Sequence, residues 1–180
     1  MIYVFLADGF EEMEAIAPID LLRRAGKDVA TVGGTGKIVM GAHNIPVTAD
    51  ITEEELISFS ETEMIVLPGG MPGTLNEEKS AVVQAAIDYC AENNIPMGAI
   101  CAAPSILGHK GILNEKKAVC YPGFEKELLG ADVSMEGVVT DGNITTARGA
   151  GVAADFGLEL VRVLCGDEKS GQLRAAIICG

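Results

Sequence analysis

Met1-Ile-Tyr-Val-Phe-Leu-Ala7 is a continuous apolar run, Glu11 to Arg24 repeats its apolar residues at helical spacing, and Asp28-Val-Ala-Thr-Val32 is apolar and β-branched again. The first run reads as a strand buried on both faces, the second as a helix and the third as another buried strand. Two arginines followed by Gly26 close the helix, with cations in its last turn and glycine beyond. Residues 1–32 are therefore a strand–helix–strand unit, whose two strands run parallel.

The same alternation continues along the chain. Gly33 to Asp50 is rich in Gly and Thr, with extended pieces at Ile38–Met40 and Ile45–Val47, and reads as a small hairpin insertion. Glu63–Leu67 is a buried strand that runs into Pro68-Gly-Gly-Met-Pro-Gly73, and a helix is expected from Lys79 to Glu92. Pro96–Ile100 is a short apolar strand, and Ala102-Ala-Pro-Ser-Ile-Leu107 starts a helix with proline tolerated in its first turn, which puts Cys101 at a strand-to-helix corner. Ala118–Tyr121, Val133–Val139 and Ile144–Ala147 read as strands, with Asp141-Gly142 as a hairpin turn. A helix over Gly149–Cys165 and one more short element over residues 166–180 complete the pattern. Strands alternating with helices predict an α/β, flavodoxin-like, doubly wound sandwich, a mainly parallel sheet with helices on both faces, in one domain over residues 1–180.

Composition narrows what this fold does. Lys plus Arg number 13 against 26 Asp plus Glu, so the net charge of −13 repels nucleic-acid backbones and anionic lipid. Hydrophobic residues at 48% are enough for a packed core. Aromatics at 4% and 22 glycines leave that core to Ala, Val, Ile and Leu. The five cysteines, Cys90, Cys101, Cys120, Cys165 and Cys179, include no CxxC pair, so reduced thiols in a cytoplasmic setting are expected rather than a disulfide framework or zinc site. The apolar start lacks a basic flank, and no apolar run approaches a membrane span. With only His43 and His109, the common metallohydrolase patterns are absent and no metal site is expected.

In an open parallel sheet, ligands bind at the carboxyl ends of the strands. That rule selects Asp8 to Glu14, the Pro68-Gly69-Gly70 loop, Cys101 and Tyr121. Cys101 at the start of a helix is placed for the positive end of the helix dipole to favour its thiolate, although cysteine is also a common buried small hydrophobe. Glu14 shares a helix face with Ala17, Pro18 and Leu21 and is expected to turn toward the sheet, where a dry carboxyl gains a raised pKa, whereas Glu12 is better placed for solvent. A plain helix-N-terminal role for Glu11, Glu12 and Glu14 is the alternative. Gly69 and Gly70 form either a tight turn or a set of backbone donors for an oxyanion. Cys90, Cys165 and Cys179 read as packing residues, Cys120 as a further residue at the cleft, and His109 as a helix-end cation. Gly33-Gly-Thr-Gly-Lys37 lacks the Ser or Thr of a phosphate loop, and Asn143-Ile-Thr145 reads as an accidental glycosylation sequon.

Leu6-Ala-Asp-Gly-Phe-Glu-Glu-Met-Glu-Ala15, Val66-Leu-Pro-Gly-Gly70, Gly98-Ala-Ile-Cys-Ala-Ala-Pro104 and Thr145-Thr-Ala-Arg-Gly149, in this order, closely resemble the ThiJ/PfpI superfamily. The likeness runs from Met1 to about Leu164 and is nearest to the branch of the Parkinsonism-associated protein deglycase and its bacterial relatives. The resemblance implies a homodimer whose reactive cysteine, on a strained nucleophile elbow, is Cys101. It implies a protonated glutamate at Glu14 that hydrogen-bonds the thiolate, a glycine loop at Gly69 and Gly70, and oxyanion contacts from the N–H groups of Gly70 and Ala102. Asp20 and Arg24 fall near the implied dimer contact. Two departures stand out: Tyr121, in Cys120-Tyr121-Pro122, occupies the place of a histidine in the deglycase branch, and Ala102 that of the peptidase branch's histidine. Peptidase activity is not expected, and neither is glutamine amidotransfer, because no histidine follows His109. The expected activity is a cofactor-free glyoxalase or deglycase acting on methylglyoxal, glyoxal or their early adducts with amines and thiols, with Tyr121 positioning the substrate. The alternative is an oxidative-stress sensor or redox-linked chaperone in which Cys101 becomes a sulfinate held by Glu14.

Overall fold

The computed structural model describes residues 1–179. In chain order they form β1 (Ile2–Leu6), α1 (Glu12–Arg24), β2 (Val29–Gly33), β3 (Ile38–Met40), β4 (Pro46–Thr48), β5 (Ile51–Thr52), β6 (Met64–Leu67), α2 (Gly73–Lys79), α3 (Ala81–Glu92), β7 (Met97–Ile100), α4 (Pro104–His109), β8 (Lys117–Ala118), β9 (Asp132–Val133), β10 (Val138–Asp141), β11 (Ile144–Ala147) and α5 (Ala153–Ala176). The central sheet runs β10-β11-β7-β6-β1-β2-β5, with every pair parallel except the β10–β11 hairpin. Two small ribbons stand outside it, antiparallel β3–β4 and parallel β8–β9. This is the doubly wound sandwich that the sequence predicts.

Side chains alternate across β1, so Ile2, Val4 and Leu6 join α1 and α5 in one apolar layer, while Tyr3 and Phe5 join α3 and α4 in the other. Both layers are dry, which explains why β1, β6 and β7 read as unbroken apolar runs. The close approach of α5 to α1 depends on Gly157: a Cβ there would lie 2.7 Å from Leu21 Cδ1 and 2.9 Å from Pro18 Cα. That contact seats α1 against the sheet and turns the side of α1 that carries Glu14 inward. No helix among the described residues is long and apolar enough to cross a membrane.

Several boundaries differ from the sequence reading. The helix expected over Lys79–Glu92 starts at Ala81 as α3, because Ser80 leaves α-geometry and its hydroxyl accepts the Val83 N–H at 3.1 Å to cap it, and α2 is a further helix that the sequence reading did not expect. The single strand expected over Val133–Val139 splits into β9 and β10 around a turn, where the Glu136 N–H donates to Ser134 Oγ. The strand expected over Ala118–Tyr121 is instead the short β8 over Lys117–Ala118, because the Val119 N–H turns to the Thr146 hydroxyl at 2.9 Å. The tail is a helical arm rather than a separate short element. Gly166, at φ 84°, breaks α5, and Arg174 then meets Asp155 at 2.6 Å, whereas a straight helix would hold them about 28 Å apart. The second arm therefore folds back along the first.

Candidate functional site

Cys101 stands at the carboxyl end of β7, at φ 65°, in the left-handed region that residues with a Cβ rarely take. Its N–H donates to Ala147 O at 2.9 Å, and its carbonyl accepts the Tyr121 N–H at 2.8 Å, so β11 and the Tyr121 loop hold the corner from both sides. The sulfur faces the backbone N–H groups of Gly70 and Ala102 and the Glu14 carboxyl.

Glu14 is only 1% exposed. One of its oxygens, Oε2, accepts the Gly69 N–H at 3.0 Å, and the carboxyl also accepts from Ala150 N–H. Burial pushes its pKa up to about 7 against those donors. Burial, the Glu14 charge and the hydrogen bond to Glu14 push the Cys101 thiol up to about 12, opposed by Gly70 and Ala102 N–H. Between the two values the pair holds one proton along its hydrogen bond. With that proton on Glu14, the repulsive charge vanishes and the carboxyl becomes a donor to sulfur.

The helix after Cys101 has six residues and begins at Pro104, and the groups that favour the thiolate against burial and Glu14 are the N–H groups of Gly70 and Ala102. Gly69 has a different role from the expected oxyanion contact, because its N–H is spent on Glu14. A Cβ on Gly69 would lie 2.5 Å from Cys101 Cβ and 2.6 Å from Glu14 Oε2, so only glycine lets the pair meet. The N–H groups of Gly70 and Ala102 point toward the sulfur.

A cleft of about 450 Å³ opens above the pair, lined among others by Glu11, His43, Met71, Tyr121 and Phe124. Tyr121 is 51% exposed, and its ring lies over Gly149 at the cleft's edge. Cys120 does not line the cleft; it is buried, which pushes its thiol up to about 11. Cys90 is likewise buried, and Cys165 and Cys179 pack on the core between α1 and α5. His109 lies between Glu78 and Glu127, which hold its pKa up. The glycine loop at Gly33–Gly36 faces Glu53 and Glu54, an acidic lining unsuited to phosphate.

Glu12 overturns its expectation outright. It is 7% exposed rather than in solvent, because the β3–β4 hairpin folds over it. Oxygen Oε1 accepts the N–H groups of His43 at 2.8 Å and Ile45 at 3.4 Å, and Oε2 meets His43 Nδ1 at 2.9 Å. Sequence reasoning missed His43 as a cleft residue. It lies in a glycine-rich stretch with no motif, and its partner is 31 positions away. Glu11, Glu12 and His43 each bring one ligand atom within 4.8 Å of the others, but Glu12 already spends its oxygens on His43 and the hairpin backbone.

The profile of the DJ-1/PfpI family matches residues 1–163. Among curated relatives, Protein DJ-1 homolog B of Arabidopsis thaliana is 36% identical over 98% of this chain, which spans 41% of that longer protein. A protein of Pyrococcus abyssi named as a deglycase is 29% identical over 91% of this chain and 98% of its own length. Among solved structures, oxidized DJ-1 of Toxoplasma gondii superposes with a TM-score of 0.94 at 31% identity, covering 98% of this chain and 97% of that one. The match along the length of the fold, together with the elbow cysteine and the glutamate facing it, gives one conclusion: the chain belongs to the DJ-1/PfpI family.

Proposed function

We propose that the protein is a cysteine-dependent, cofactor-independent glyoxalase or deglycase that takes methylglyoxal, glyoxal or their early adducts. The observation that carries this reading is the buried Glu14 carboxyl hydrogen-bonded to Cys101, with two backbone N–H groups aimed at the sulfur. The Cys101 thiolate adds to the aldehyde carbon, a C–S bond forms, and the proton on Glu14 moves to the new oxygen, giving a hemithioacetal. The N–H groups of Gly70 and Ala102 face the developing oxyanion. Glu14, now a carboxylate, takes the proton from the former aldehyde carbon and returns it to the neighbouring carbon, while the hydroxyl proton passes to the neighbouring carbonyl oxygen, which converts the hemithioacetal to a 2-hydroxy thioester. Water then breaks the C–S bond, releasing a hydroxy acid and the thiol. Tyr121 borders the cleft and positions the substrate.

Incubation of wild type and Cys101→Ser with methylglyoxal, without glutathione, tests the reading. Lactate from wild type and none from the variant supports it, and equal rates overturn it. The same donors also fit a sulfinate on Cys101, with Glu14 donating to one oxygen, which favours an oxidative-stress sensor as the second reading. A folded wild type that makes no lactate, yet oxidises at Cys101 ahead of its other cysteines under mild peroxide, would replace the first reading with the second.

The protein is further proposed to act as a homodimer through α1. Met13, Ile16 and Ile45 are exposed around an apolar groove that also takes in Ala17, Ala153 and Ala154. Asp20 lines the same groove and pairs with Arg24 at 2.7 Å, where the resemblance places the dimer contact.

A further inference from the structure

The deglycase branch's histidine is replaced by Tyr121, yet an imidazole reaches the same cleft from a different element. His43 sits in the turn between β3 and β4, and it lines the cleft together with Cys101, Glu14 and Tyr121. Its orientation is fixed from beneath. Glu12 is held ionised by His43 and by the N–H groups of His43 and Ile45, and an ionised carboxylate only accepts hydrogen bonds. Nδ1 of His43, 2.9 Å from Glu12 Oε2, is therefore the ring nitrogen that carries hydrogen. In the neutral ring Nε2 is then the unprotonated nitrogen, a base at the mouth of the cleft.

We infer that His43 is the general base that activates water to hydrolyse the Cys101 thioester, with Glu12 as its positioning residue. The inference rests on the glyoxalase reading above. The side chain is two-thirds exposed, at the solvent side of the cleft where water enters, whereas Glu14 lies at the cleft's dry floor beside the sulfur. The two proton-transfer groups thus divide the reaction, with Glu14 serving the steps before the thioester and His43 the step after it. In that step the water oxygen bonds to the thioester carbon, its proton goes to His43 Nε2, and the C–S electron pair leaves on sulfur. The imidazolium then gives its proton to solvent, the proton of the newly formed carboxylic acid passes to the Glu14 carboxylate as the hydroxy acid leaves ionised, and the thiolate regains its hydrogen bond from Glu14. The charged groups facing the imidazole are Glu12 and Glu11, and both favour its protonated form.

Single-turnover reaction with methylglyoxal, followed by acid quench and mass spectrometry, tests the assignment. His43→Gln is expected to lower kcat about 100-fold and to accumulate a lactoyl thioester on Cys101. The hydrolysis of that thioester, followed alone, is free of the Cys101 titration because the sulfur is acylated, and comparison with Glu12→Gln separates the imidazole's titration from that of the buried Glu14. In wild type it should rise with pH through the imidazole's titration. In Glu12→Gln the rise should move to lower pH, because the carboxylate that favours the imidazolium is gone. A His43→Gln protein that forms lactate at the wild-type rate overturns the inference while leaving the glyoxalase reading intact. A slowed variant with only unmodified Cys101 also overturns it, since the loss then precedes the thioester. A wild type that forms no lactate removes both.

Discussion

At the scale of single residues, the chemistry turns on a carboxyl and a thiol that cannot both be ionised cheaply. Burial raises Glu14 to about 7, so between its unfolded value and that pH the fold binds a proton that the unfolded chain has lost. The sign follows: native stability from this group is complete below the unfolded pKa and falls as pH rises through about 7. Glu14→Gln removes that penalty and is expected to stabilise the protein above pH 7 by up to about 3 kcal/mol, with little change below pH 4.5. Thermal unfolding across that range would show it. The same variant should lose reactivity in a specific way. Alkylation of Cys101 by iodoacetamide in wild type should rise with pH through about 7, as the pair drops to one proton, and Glu14→Gln should show no inflection there. An inflection near 7 that survives in the variant would mean that another group controls the sulfur. Gly69 belongs to this scale too, because the pair exists only where no Cβ intervenes.

Elements bring these residues together, and their own irregularities are informative. The α2 helix follows the Gly69-Gly70 loop directly, and it buries Thr74 and Glu77. Both Glu77 oxygens and the Thr74 hydroxyl lack a hydrogen-bond partner among the described residues. Burial, with Glu53 and Glu14 nearby, raises the Glu77 carboxyl well above its usual range, so it is neutral in the fold. An orphaned carboxyl in a dry core destabilises it. Glu77→Leu should therefore raise the melting temperature at pH 7.5, by the equivalent of about 1–3 kcal/mol, and the gain should shrink toward pH 4.5, where the unfolded chain also protonates. An unchanged or lowered melting temperature at pH 7.5 would show that the carboxyl has a partner in solution. The β3–β4 hairpin shows the opposite use of a buried carboxylate. Glu12 is fully engaged there, satisfying the turn's backbone and aiming His43.

At the scale of the molecule, the same hairpin and α1 present one apolar surface. With Met13, Ile16 and Ile45 each exposed by 44% or more, a second copy is the expected cover. Sedimentation of the wild type should give a dimer, and Ile16→Asp should give a folded monomer, since a charge facing its own symmetry mate at a two-fold interface is repelled. A wild-type monomer would leave that face without its proposed function.

The amino-acid sequence by itself determined the doubly wound architecture, because strands dry on both faces must be apolar throughout and helices on a sheet must repeat their apolar residues at helical spacing. Cys101, Glu14, Gly69 and Gly70 were legible for the same reason: the carboxyl ends of adjacent parallel strands converge, so residues just beyond them meet. Splits within elements were less legible. Ser80 falls inside the helix expected over Lys79–Glu92, and only the structure makes it the cap of α3. Only the tertiary structure decided the raised thiol, the use of the Gly69 N–H on Glu14, and the pairing of Glu12 with His43. Each depends on how burial and hydrogen bonds join residues far apart in the chain, and desolvation belongs to the packed interior rather than to any local stretch of sequence.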